Sequence, residues 1–348
     1  MMENKKTTET VRFHSPLQGG ELVEHTLQTR EDPLTGHRSI LCSALQGKAE
    51  VLFPATDWDY LRQTTEETAA SCFLCPQDWR QKVPSYPADF LPEGILERGD
   101  AALFPNLFPI SPYHAVVRLG DRHVRTLQEM PSQLLRDGLE VAAEFVRRCW
   151  EYDPEMRFAT INANHLFPAG ASLVHPHFQV LLGSVPSTHH DLLLEKSREY
   201  IRQKGSCYWE DLIAQEEQSG ERWIGRTGSW SWISAFSPKG LNEIQAVHRE
   251  FQSIADWGQR EPGDLALGLS AILQAYHQMG HSTYTMTLFS APPGGGHGEF
   301  RCLLRLMNRQ NVVPHHRTDD YFFQKIMGNE LILCQPEELA ARMRQSLG

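Results

Sequence analysis

The sequence predicts an α+β protein made of two units of similar style, each a mainly antiparallel sheet carrying one long helix. Short strands divided by Pro and Gly turns, one long patterned helix in each half, and a charged helical stretch over 188–217 between the halves predict it. With 348 residues, 41% hydrophobic and 22% charged, the chain is long enough for one large or two ordinary domains with buried cores.

The elements follow in chain order. Glu21 to Gln28 and Arg38 to Ser43 read as strands, and Asp32-Pro33-Leu34-Thr35-Gly36 between them is rich in turn formers, which makes the pair a hairpin. His114 to Leu119 reads as a strand. Pro131 to Trp150 reads as a helix because Leu135, Leu139, Ala142, Val146 and Cys149 fall on one stripe. Strands follow at Phe158 to Asn162 and His175 to Leu182. In the second half Ser229 to Phe236 and Glu243 to His248 are strands, Asp264 to about His277 is a helix, and Tyr284 to Ser290 and Phe300 to Met307 are strands. A closing helix begins at Pro336, where proline suits the first helical turn.

Composition excludes several classes. No period of 20 to 50 residues repeats, so solenoids and propellers are out. The 33 basic and 43 acidic side chains give a net charge of −10, which argues against a nucleic-acid partner, so any phosphate must be gripped locally. No run approaches the roughly 20 apolar residues a bilayer requires, and the opening MMENKKTTET is too polar for a signal peptide, so the expectation is a cytoplasmic protein with no membrane partner. Seven cysteines thinly spread do not suggest a disulfide scaffold.

Two motifs carry chemistry. In Ser172-Leu173-Val174-His175-Pro176-His177-Phe178-Gln179-Val180, strand alternation places His175, His177 and Gln179 on one face, about 6.6 Å apart in succession. Three such side chains cost desolvation unless they meet a ligand, a metal or solvent; the plainer reading is a solvated edge strand. Cys72-Phe73-Leu74-Cys75 has a spacing that lets both thiolates reach one tetrahedral zinc at about 2.3 Å. A redox pair is the rival, but it expects a strand before and a helix after, which Thr65 to Ser71 and Pro76 do not suggest. Of the sixteen histidines, His123 and His175 lie near predicted strands in the same half.

The motif His-Pro-His-x-Gln after Gly170-Ala171-Ser172, the upstream Cys-x-x-Cys, Arg30 to Gly36 and Pro105-Asn106-Leu107-Phe108-Pro109 together resemble the galactose-1-phosphate uridylyltransferase family of the histidine-triad superfamily. That group includes zinc-bearing ADP-sugar phosphorylases. The resemblance spans about 30 to 345 and is fainter in the second half, where Gly328-Asn329-Glu330 is similar to a hexose-contacting Gly-Tyr-Glu segment. It implies two histidine-triad-like domains, an N-terminal one over 20–187 with the zinc site and nucleophile and a degenerate C-terminal one over 188–348 with sugar-side contacts.

The resemblance also implies roles. Cys72, Cys75, His123 and His175 match the ligands of one structural zinc, with His123 preferred to His114 because Gly120 to Leu127 is similar to the family's segment before the long helix. His177 matches the nucleophile, Gln179 the phosphate-contacting glutamine, and Ser172 and Asn164 other phosphate-side residues, while Asn106 and Phe108 match the nucleoside pocket and Glu330 the sugar contact. The implied reaction is nucleotidyl transfer between a nucleoside diphosphate sugar and a sugar 1-phosphate through a covalent nucleotidyl-histidine. The alternatives are phosphorolysis by inorganic phosphate and a catalytically silent nucleotide-binding zinc protein. A homodimer is implied by analogy.

Departures are specific. The family's phosphate-holding Arg-x-x-Arg is replaced by Leu45-Gln46-Gly47-Lys48, with one cation. Phe178 follows the nucleophile where the bacterial uridylyltransferases have glycine. A second, histidine-bound metal of some members would fall on Phe289, Leu303 and Arg305, so one metal is expected. Trp223, Trp230 and Trp232 read as core or dimer contacts. His189-His190 and His315-His316 read as solvated surface, and Gly294 to Gly296 as a flexible loop without the Lys-Ser/Thr of a P-loop.

Overall fold

The computed structural model describes residues 3–45, 48–294, 298–315 and 317–347. Gln46 and Gly47, Gly295 and Gly296, and His316 lie outside the described residues. The chain runs β1 (Lys6–Ser15), β2 (Glu21–Glu31), β3 (Arg38–Cys42), α1 (Ala49–Leu52), α2 (Trp58–Ala69), β4 (Leu96–Arg98), β5 (Ala101–Pro105) and β6 (Tyr113–Leu119). It continues with α3 (Ser132–Tyr152), β7 (Phe158–His165), β8 (His177–Gly183), α4 (Thr188–Lys204), α5 (Tyr208–Ser219), β9 (Trp223–Thr227), β10 (Trp230–Ser234) and β11 (Leu241–His248). The last elements are α6 (Glu261–Gln278), β12 (Tyr284–Ser290), β13 (Leu303–Asn308), α7 (Phe322–Lys325), β14 (Asn329–Ile332) and α8 (Pro336–Leu347). The α+β class and the antiparallel bias of the sheets are as expected.

Ten strands form one sheet in the order β4-β5-β6-β8-β7-β12-β13-β11-β10-β9, and its neighbours pair antiparallel. The two halves of the sequence join inside it, where β7 pairs with β12 from Tyr284↔His165 to Ser290↔Ala159. A smaller sheet, β1-β2-β3-β14, takes its last strand from the C-terminal end, parallel to β3. The expected division at 187/188 falls at Ser187, the N-cap of α4, whose hydroxyl accepts from the His190 amide.

Alternation along the strands sorts the two faces of the large sheet. Phe178 and Val180 on β8, Ile161 and Ala163 on β7, Leu288 on β12 and Leu304 on β13 enter the main core with α3 and α6. The other parity faces the opposite way. In the C-terminal half Ile233, Val247, Phe289 and Leu303 meet Leu193 of α4 and Trp209 of α5 in a second apolar cluster. Towards β8 and β7 the same face carries His177, Gln179, Asn162 and Asn164.

Several expectations are corrected. The strand expected over His175 to Leu182 begins at His177, because Pro176 lacks an N–H for the ladder, and His175 lies before it. The helical stretch over 188–217 is two helices, since α4 ends at Gly205, which adopts φ +75° as its left-handed cap. The strand expected from Phe300 begins at Leu303. His189 and His190 are not solvated: His190 is 1% exposed against Phe289 and Phe300, and His189 Nε2 lies 3.2 Å from Arg305 Nη1. The sequence of α4 opens on polar residues, but its first turn is laid onto the sheet. Trp230 and Trp232 are fully buried, as read. The strands β1, β4, β5, β9 and β14 were not anticipated.

Helix α6 packs so closely on β10 that a Cβ at Gly268 would lie 2.2 Å from Trp232 Cζ2, and the ring is held by its Nε1–H bond to Thr227 Oγ1 at 2.9 Å. At Gly263, in the first turn of α6, the nearest atom to an added Cβ is 3.7 Å away. Glycine-to-alanine gains about 1 kcal/mol of helix propensity at either position, but overpacking costs about 1–3 kcal/mol. Gly263→Ala should therefore raise, and Gly268→Ala lower, the urea midpoint at unchanged m-value; equal shifts of one sign would refute this packing.

Candidate active site and metal centre

The ends of β6 and β8 and the turn after α2 bring four sequence-distant side chains together. Cys72, Cys75, His123 and His175 offer ligand atoms that all lie within 4.8 Å of one another, and theirs is the one such group among the described residues. Cys75 Sγ lies 3.1 Å from His123 Nδ1 and 3.4 Å from His175 Nδ1, and Cys72 Sγ lies 4.0 Å from His175 Nδ1. The far nitrogens are engaged outward, His123 Nε2 with the Thr68 hydroxyl at 3.0 Å and His175 Nε2 with the Gly120 carbonyl at 3.1 Å. Donation from Nε2 to that carbonyl leaves His175 Nδ1 as a lone pair facing the sulfurs, the arrangement that orients a metal-binding imidazole.

Burial sets the protonation of this cluster. It pushes the Cys75 thiol up to about 12, with Cys72 adding to the shift, and it pulls His175 down to about 4. Neutral imidazoles are ready ligands, while buried thiols lose their protons only when a cation offsets the charge. The donor set therefore fits a four-coordinate metal ion closed to solvent chemistry. Arg118 closes the knuckle from the sheet side: its Nε donates to Leu74 O at 2.8 Å and its guanidinium lies 5.0 Å from the Trp79 ring centre.

Immediately after His175, the chain enters β8. The Nδ1–H of His177 donates to the His175 carbonyl at 2.9 Å, which fixes the tautomer and leaves Nε2 as the basic nitrogen. Burial lowers the pKa of His177, which is 7% exposed, so the ring is held neutral. Two residues on, Gln179 shares its face, and its Oε1 lies 2.8 Å from His114 Nε2. Across β7, Asn164 Oδ1 accepts from the Thr285 hydroxyl at 3.0 Å, and the next rung repeats the pattern with Thr287 and Asn162 Oδ1 at 2.9 Å. With its oxygen so engaged, Asn164 turns its amide nitrogen to the side of Gly170, where it has no hydrogen-bond partner among the described residues, and Ser172 is exposed in the loop leading to β8.

The remaining expected residues are placed as follows. Asn106 is half-buried at the end of β5, its Nδ2 3.1 Å from His114 Nε2 and its Oδ1 accepting from Phe108 N at 2.8 Å. Phe108 is 82% exposed. Glu330 is not brought to this group: it is 8% exposed, bonded by Gln324 Nε2 at 2.7 Å, and lines a separate pocket with Lys239, Asn308 and Tyr321. Burial raises its carboxyl to about 7. His114, set aside as a metal ligand, lies between Asn106 and Gln179 with its Nε2 within 3.1 Å of both; a polar residue inside an apolar strand is its one signal in the sequence. Where a second metal was considered, Phe289 and Leu303 are apolar core and Arg305 Nε is paired with Glu243 Oε1 at 2.5 Å.

No family model matches the sequence. An uncharacterized protein from Archaeoglobus fulgidus is 29% identical over 347 residues, which are 99% of this chain and 98% of that one. Among solved structures, an ADP-glucose phosphorylase from Arabidopsis thaliana with bound ADP-glucose has a TM-score of 0.70 at 18% identity, over 92% of this chain and 99% of that one. A GalT-like protein from the same plant has a TM-score of 0.69 at 17% identity, over 91% and 98%. A uridylyltransferase has a TM-score of 0.64 at 20% identity, over 92% and 98%. Over about nine-tenths of its length the chain has the fold shared by these three proteins.

Proposed function

We propose that the protein is a nucleotidyltransferase that moves a nucleoside monophosphate between a nucleoside diphosphate sugar and a phosphorylated acceptor through a covalent nucleotidyl-His177. The observation that carries this reading is the held imidazole: Nδ1–H is bound to the His175 carbonyl, and among the described residues nothing is bonded to Nε2. Nε2 attacks the α-phosphorus, an N–P bond forms, the P–O bond to the β-phosphate breaks, and sugar 1-phosphate leaves with the electron pair. In the second half an acceptor phosphate oxygen attacks the same phosphorus and the N–P electron pair returns to Nε2. The Nδ1 proton stays in place, and the His175 carbonyl dipole steadies the charge the ring acquires.

The other residues divide the remaining tasks in this proposal. The amide nitrogens of Gln179 and Asn164 and the Ser172 hydroxyl donate to phosphate oxygens, and Asn106 and Phe108 line the nucleoside end. Zinc fits Cys72, Cys75, His123 and His175, and when bound it would supply structure, stapling the start of β8 to the turn at 72–75. The domain division at 187/188, a cytoplasmic location and a homodimer belong to the same reading. Since Glu330 lines a separate pocket, a sugar-side role at His177 calls for Glu330 from a second copy. Phosphorolysis is the second reading, favoured by Lys48 standing alone where two arginines are expected.

Three outcomes test it. Cys75→Ser should lower zinc from one ion per chain and reduce the melting temperature by several degrees, since the other ligands would be left uncompensated; full occupancy by elemental analysis would refute the ligand set. Incubation with radiolabelled nucleoside diphosphate sugars should leave acid-labile label on the wild type and none on His177→Gly, whose turnover should fall by about 10⁴ or more. Comparable exchange in that variant would sink the covalent route, and supplying inorganic phosphate or a sugar 1-phosphate separates the two acceptors. Gln179→Ala should cost about 10²–10³ in rate, the worth of one charge-stabilising donor.

A further inference from the structure

His114 is 5% exposed on β6 and makes three polar contacts that no metal or core role explains. Its Nδ1 accepts the Ile110 N–H at 3.3 Å, its Nε2 lies 2.8 Å from Gln179 Oε1, and the Asn106 amide nitrogen is 3.1 Å from the same Nε2. A neutral imidazole has one donor and one acceptor, so only two arrangements exist. With the proton on Nε2, the Ile110 N–H has its acceptor and His114 donates to Gln179 Oε1 at 2.8 Å, while the Asn106 amide nitrogen at 3.1 Å is then a packing contact and not a hydrogen bond, since both nitrogens carry protons. With the proton on Nδ1, two N–H groups face each other at Ile110, and Gln179 must turn its amide nitrogen inward to donate to Nε2. The first satisfies the fixed backbone donor, and burial lowers the pKa of His114, which keeps the ring in a neutral form.

We infer that His114 is a positioning residue which, by donating from Nε2 to Gln179 Oε1, turns the amide N–H groups of Gln179 outward over the sheet face beside His177. The inference rests on the transfer reading above and adds to it the group that decides whether Gln179 presents a donor or an acceptor to phosphate. A reversed amide would direct a lone pair at the developing negative charge. Asn106 Oδ1 accepts the Phe108 N–H at 2.8 Å and His114 Nδ1 accepts the Ile110 N–H at 3.3 Å, so the 106–110 loop and Gln179 are ordered around one ring.

The test has a substrate-free arm. In ¹⁵N-histidine-labelled protein, with the His114 signals assigned by their loss in His114→Gln, Nε2 should carry the proton and Nδ1 should be bare, and Gln179→Ala should shift the Nε2 signal. Protonation at Nδ1, or no response to Gln179→Ala, overturns the inference. If His114→Gln does not fold, His114→Asn assigns the ring instead. In the transfer assay His114→Gln should lower kcat roughly tenfold with little change in KM or zinc content, and less than about twofold when Gln179→Ala is already present. An equal loss in both backgrounds also overturns it. Absence of any transfer by the wild type counts against the proposed function alone, since the tautomer is read without substrate.

Discussion

One residue joins the two chemistries of the site. The side chain of His175 turns to the thiols of Cys72 and Cys75, while its main-chain carbonyl receives the Nδ1 proton of His177. Pro176 makes this possible: it interrupts the strand ladder, so His175 is released to the cluster and His177 is the first residue of β8. Whatever fixes the cluster thereby fixes the carbonyl, and the carbonyl fixes the tautomer of the neighbouring ring. Arg118, cross-strand from His177, reinforces the link by holding the Leu74 carbonyl of the same knuckle.

Around that link, charge is confined rather than spread. Arg305 and Glu243 bury a single ion pair beneath α4, with His189 against the guanidinium. Arg222 pairs with Glu216 and Glu337, and Glu337 also receives Arg30, so β2 of the small sheet, the start of α8 and the lead into β9 share one ionic knot. Removing one member of such a knot leaves an uncompensated buried charge, which costs more than the pair contributes. The open stretch of the sheet face carries amides and hydroxyls instead.

Continuity of the sheet gives the C-terminal half a part in the site. Pairing of β7 with β12 sets Thr285 against Asn164 and Thr287 against Asn162, and these threonines hold the asparagine oxygens. The two halves thus share one hydrogen-bonded surface. Helices α3 and α6 back both halves from the far side, with Gly268 admitting Trp232 at the closest approach.

Much of this was legible in the sequence because it rests on local pattern. The α+β class, α3, α6, β11 and β12 follow from periodicity, and the Cys-x-x-Cys and His-Pro-His-x-Gln motifs contain Cys72, Cys75 and His175, which the fold gathers with His123, a residue that the family resemblance singles out. The short strands β4, β5 and β9 and the late partner β14 escape the sequence pattern, since a three- to five-residue strand is defined by the neighbour it pairs with and not by its own residues. The burial of His189 and His190 is hidden from the sequence for the same reason: polarity along a helix does not say which turn the fold lays on a sheet. By itself the sequence determined which thiol, imidazole and amide side chains stand at spacings that can serve one site, because that follows from residue types at short separations. Only the tertiary structure decided that His175 faces the thiols while His177 faces the sheet, that His114 serves Gln179 and not the metal, and that Glu330 stands apart. Those choices depend on strand register and on which donor meets which acceptor across the sheet, and such distances exist only once the chain has folded.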